Sequence, residues 1–123
     1  MRRLRTIEAG CRLTSISDLR FLRASHIKPW AAANESERIC RENGLLLTPS
    51  VDLLFDRGWI SFQNNGELLV TPKLPDQVID RIGLDLTPGR KCGSFSPKQT
   101  GFLEYHRDCI YEQSTGLDRV NVF

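Results

Sequence analysis

Two histidines are present in 123 residues, and one of them, His26, lies in "ASHIKPW" at residues 24–30. An imidazole can be unprotonated at rest and still accept a proton, so His26 reads either as a general base for a water or as a packed, hydrogen-bonded side chain. Further along, Asp52 and Asp56 are four apart in "TPSVDLLFDRG". At helical spacing both carboxylates share one flank of an apolar stripe. His106 has Phe102, Leu103, Cys109 and Ile110 at helical spacing around it, and that apolar neighbourhood reads as a packed histidine.

Charge divides unevenly along the chain. Residues 1–41 carry nine Arg or Lys against four acids, and residues 42–123 carry eight against eleven. A basic half holding a histidine, beside a half rich in carboxylates, suits an enzyme that grips phosphates and holds a divalent cation. Solvated surface charge gives the same asymmetry. The four cysteines, Cys11, Cys40, Cys92 and Cys109, form no C-x-x-C pair and match no zinc-knuckle spacing. They are expected as free thiols, with no cysteine-built structural zinc.

Hydrophobic residues at 40% and charged residues at 26% are ordinary for a globular protein and argue against disorder. The length fits one domain with a modest core. No apolar run approaches the ~18 residues of a membrane span. "MRRLRTIEAG" lacks an apolar segment of the secretory type, so a cytoplasmic protein without a membrane partner is expected.

Elements must position these groups. "LRFLRASHI" predicts a strand ending near His26, stopped by Pro29. "AAANESER" is a polar connection with room for a short helical turn. Asn43-Gly44 predicts a turn before a short buried strand, Leu45 to Leu47. Ser50 is placed to cap a short helix that buries Val51, Leu54 and Phe55, with Gly58 at its C-terminal end. "WISFQNNGELLVT" reads as a β-hairpin over 59–71 that turns at Asn64 to Gly66. "LPDQVIDRIGL" predicts a short helix with Pro75 near its first turn and Gly83 near its end. Ser96 followed by Gln99 is a capping box opening a helix over about 97–112. The tail "QSTGLDRVNVF" gives no clear element.

Strand, long connection, strand and helix, carrying His26, Asn43 and Asp52 in that order, resemble the HNH endonucleases, the ββα-metal nucleases. "CRLTS", "ASHIKPW", "NGLLLTP", "DLLFDRGWISF", "NGELLV" and "LEYHR" occur in order and at spacings like those of bacterial and phage HNH domains. The resemblance covers roughly residues 11–108. It implies an α+β fold: a ββα-metal motif within a core of about 11–72, then a β-hairpin and a C-terminal helical part of about 73–112, all in one domain over 1–123.

The function it implies is a metal-dependent DNA endonuclease. His26 would be the general base, and Asn43 would brace the loop that orients it. Asp52, joined by Asp56, would hold a divalent cation, Mg²⁺ before Mn²⁺. Lys28, Arg38 and Arg57 lie close in sequence to this site and are candidates for phosphate contacts. Ser25 stands where many such nucleases carry an acidic or histidine metal ligand. That departure supports an alternative, a catalytically inactive domain that only grips DNA or a protein partner. Trp30 and Trp59 read as core or rim packing.

Overall fold

The computed structural model describes residues 4–111. The tail that gave no clear element and the last position of the expected final helix lie outside the described residues.

The centre is an antiparallel pair, β1 (Arg23–His26) with β2 (Gly44–Leu47), in the register Arg23↔Leu47, Ala24↔Leu46, Ser25↔Leu45, His26↔Gly44. β1 is shorter than the expected strand. Asp18 caps a 3-10 turn over Leu19–Phe21 by accepting from the Arg20 amide at 3.0 Å, and the chain becomes extended only at Leu22. Between the strands, Pro29 leads into a 3-10 turn, Trp30–Ala32, and then α1 (Glu35–Ile39). α1 is only five residues long, too short to persist on propensity alone. A reciprocal capping box holds it: the Glu37 amide donates to Asn34 Oδ1, and the Asn34 amide donates to Glu37 Oε1, each at 2.9 Å.

All four residues of β2 are buried, which is why its sequence is a continuous apolar run. α2 (Pro49–Asp56) follows with Thr48, not Ser50, at its N-cap. Proline needs no amide partner and its fixed φ suits the first helical position, so the helix starts ahead of Ser50. Val51, Leu54 and Phe55 are buried, and Gly58 ends the segment at φ +78°.

β3 (Ile60–Phe62) and β4 (Leu68–Val70) form the expected antiparallel hairpin. Its turn closes through Gly66 N–H to Gln63 O and Gln63 N–H to Glu67 O, both 2.9 Å. The outer edge of β4 is occupied by residues 89–92: Leu68 N–H donates to Arg90 O and Gly89 N–H donates to Leu68 O, both 2.8 Å. α3 (Asp76–Arg81) is short, and α4 (Pro97–Cys109) opens on the Ser96–Gln99 capping box.

The core runs through Ile27, Leu45, Leu47, Phe55, Phe62 and Leu103. His106 belongs to it at 1% exposure. Its Nε2 donates to Phe55 O at 2.8 Å, its Nδ1 accepts from Ser61 Oγ at 2.7 Å, and its ring stacks on Phe55 with centroids 3.8 Å apart. The packed reading of His106 is the observed one. α4 thereby fastens the end of α2 to β3. No helix among the described residues is long and apolar enough to cross a membrane.

Candidate functional site

His26 ends β1 and is half-buried. Its Nε2 lies 3.1 Å from Arg38 O. A carbonyl only accepts, so the proton of the neutral ring sits on Nε2 and the lone pair on Nδ1. The ring is therefore oriented by a backbone group and carries its acceptor on the other nitrogen. Trp30 meets it edge-on, with centroids 5.7 Å apart and planes at 74°.

Beside His26 is a cleft of about 190 Å³ whose lining includes Ala24, Arg38, Ile39, Arg41 and Asn43. Among the described residues, its charged lining consists of arginines, with no carboxylate. Arg41 reaches it from beyond α1 and also donates to Thr6 Oγ1 at 3.2 Å. Such a concavity favours an anion.

Asn43 is 1% exposed. Its Oδ1 accepts from the Lys28 amide at 2.7 Å, and its Nδ2 donates to Lys28 O and Glu37 O, each at 3.2 Å. One amide thus ties the backbone two residues after His26 to Glu37 of α1, and the following residue of that helix, Arg38, orients the imidazole. A carboxylate at this position would accept but not donate.

The three basic residues singled out from sequence have different surroundings. Lys28 Nζ lies 3.0 Å from both Glu37 oxygens and 5.0 Å from the Tyr105 ring centre. The Asn34 amide, and after it Lys28, hold the Glu37 carboxyl below its ordinary range. Arg38 donates through Nε to Trp30 O at 3.0 Å and lays its guanidinium 4.5 Å from the indole centre. Arg57 is the C-cap of α2.

Asp52 is in the first turn of α2 and Asp56 is its last residue. The helix N-terminus favours a carboxylate at Asp52. Its Oδ2 lies 3.7 Å from Arg23 Nη1, with the Asp52 side chain 20% exposed. Sequence reading passed over Arg23. Strand alternation is the signal for it, since Arg23 and Ser25 fall on one face of β1 while Ala24 and His26 fall on the other. The structure thus assembles His26, Asn43, Arg38 and Trp30 as one group and Arg23 with Asp52 as another. Among the described residues no hydrogen bond or ion pair joins His26 to Asp52.

Among the described residues there is no cluster of three or more His, Cys, Asp or Glu able to hold a metal ion. Two carboxylates one helical turn apart, with Ser25 in place of a stronger ligand, do not make a closed protein cage. They suit a hard cation that keeps most of its waters, as Mg²⁺ does. Arg23 competes with such a cation, because its guanidinium already faces the Asp52 carboxylate.

The four cysteines are unpaired. Burial pushes the Cys11 thiol up, but hydrogen bonds from the Thr14 hydroxyl and from the amides of Thr48, Thr14 and Leu13 outweigh it and leave the thiol below its ordinary value. Burial raises Cys92.

No curated protein matches the chain. The HNH endonuclease family model matches residues 11–63, the stretch that contains β1, α1, β2, α2 and β3. Over residues 11–63 the chain is similar to the HNH endonuclease family.

Proposed function

We propose that the protein is a metal-dependent DNA endonuclease in which His26 is the general base. The observation that carries this reading is the Nε2–H···O bond to Arg38, which leaves Nδ1 as the acceptor of a ring that lines an arginine-bearing cleft. His26 takes the proton of a water whose oxygen bonds to phosphorus as the bond to the departing sugar oxygen breaks. Arg38 and Arg57 contact phosphate oxygens. Lys28 joins them only by giving up part of its pairing with Glu37. Asn43 keeps the His26 loop fixed to α1. Asp52 and Asp56 would hold the divalent cation, which when bound neutralises charge on the phosphate and the departing oxygen.

A second reading, a DNA- or partner-binding domain without catalysis, is favoured by Ser25 and by the Arg23–Asp52 pair. Nicking of supercoiled plasmid with Mg²⁺ or Mn²⁺, with and without EDTA, separates the two. The nuclease reading predicts metal-dependent conversion to open circles. It further predicts that Asp52→Ala raises the half-saturating metal concentration at least ~10-fold, since even outer-shell partners act on that scale. Binding of the plasmid without nicking at any metal concentration would support the second reading.

A further inference from the structure

Trp30 is 57% exposed, although burying an indole is among the most favourable uses of apolar surface. It is nonetheless held firmly. The Ala32 and Ala33 amides donate to Pro29 O at 3.0 Å and fix the turn that carries it. Arg38 then binds its carbonyl and covers one face of its ring, while His26 meets it edge-on. Phe21, Ile39 and Leu53 are also exposed. Of this exposed set, Trp30 is the side chain that combines a flat aromatic face, a stacked guanidinium and contact with the candidate base.

We infer that the open face of Trp30 is a stacking subsite for an unpaired nucleobase next to the scissile phosphate, an inference that rests on the DNA-cleaving reading above. Every base has a π-face, so a fixed aromatic surface binds bases with little regard to sequence, and a neighbouring arginine adds to the attraction. The ordering cost of the platform is met within the free protein by Arg38 and Pro29. Inside a duplex the faces of the bases are covered by their neighbours. The subsite therefore selects nucleotides that are single-stranded, at a gap or end, or turned out of the helix. A base on Trp30, whose ring centre is 5.7 Å from that of His26, brings its own phosphate linkage toward the imidazole and the arginine-lined cleft.

The test is binding in EDTA, measured by anisotropy of a labelled single-stranded oligonucleotide and of its blunt duplex. Trp30→Ala should weaken single-strand binding roughly 5- to 150-fold, the loss expected for one stacked base. Duplex binding should stay within about threefold, and Trp30→Phe should retain most single-strand affinity because it keeps an aromatic face. In a Trp59→Phe background, where Trp30 is the sole tryptophan, the single strand should quench the fluorescence. Equal losses on both substrates, no loss on either, or single-strand binding without quenching would each overturn the subsite. If the unaltered protein binds duplex while any of these results is found, only the subsite falls; if it binds neither substrate, the DNA-cleaving reading falls with it.

Discussion

At the scale of residues, Asn43 concentrates much of what the site needs in one amide. Replacing it with alanine strands the Lys28 amide, the Lys28 carbonyl and the Glu37 carbonyl together. Each unsatisfied buried group costs about 1–3 kcal/mol. Partial access to water relieves some of that, so Asn43→Ala should destabilise the fold by roughly 2–4 kcal/mol in urea unfolding. Asn43→Asp should also destabilise it, since the carboxylate keeps the acceptor and loses both donors. Motif order singles out His26, Asn43 and Asp52 as candidate positions in the sequence. The Arg23–Asp52 pair was not legible, because it depends on which face of β1 meets α2. Trp30 was read as core or rim packing because its type predicts burial; the structure leaves it 57% exposed, with Arg38 over its ring, a contact that composition does not reveal.

At the scale of elements, signals contained within a few residues were read well. The Ser96–Gln99 box, the Gly66 turn and the apolar stripe of α2 each fix an element by local chemistry. Pairings between distant residues were not visible. Residues 89–92 lie along β4 with glycine and charged side chains rather than a strand-like pattern, and only the fold brings them there. Gly58 shows both kinds of control. Its φ of +78° ends α2, and a Cβ there would meet Ile110 O at 2.2 Å. Left-handed backbone alone costs a residue with a side chain about 1–2 kcal/mol, and the clash adds to it. Gly58→Ala should lower the urea midpoint by at least ~2 kcal/mol equivalent without a change in slope. An unchanged midpoint would mean that the contact between the end of α2 and the end of α4 is not maintained in solution.

At the scale of the molecule, residues beyond the family match act as the backing of the site. Glu8, 1% exposed, takes a bidentate pair from Arg12 at 2.9 and 2.7 Å and a third bond from Gln99 Nε2 at 3.0 Å. Arg12 also donates to the carbonyls of Cys92, Gly93 and Ser94 and lies 3.9 Å from the Phe95 ring centre. The start of the chain is thereby bonded to α4, and His106 bonds α4 to the helix carrying Asp52 and Asp56. The sequence shows the capping residues of α4 but not this network, whose partners are up to 91 positions apart. On such a scaffold, loss of a catalytic side chain should leave the fold intact, and that separates chemistry from packing. The decisive measurement is the metal-dependent plasmid-nicking rate of His26→Ala and of the unaltered protein, with melting temperature and DNA affinity taken on the same preparations. The account predicts a rate at least ~10²-fold lower, with melting temperature and affinity nearly unchanged. A His26→Ala protein that melts several degrees lower and nicks at a near-normal rate per folded molecule would contradict it.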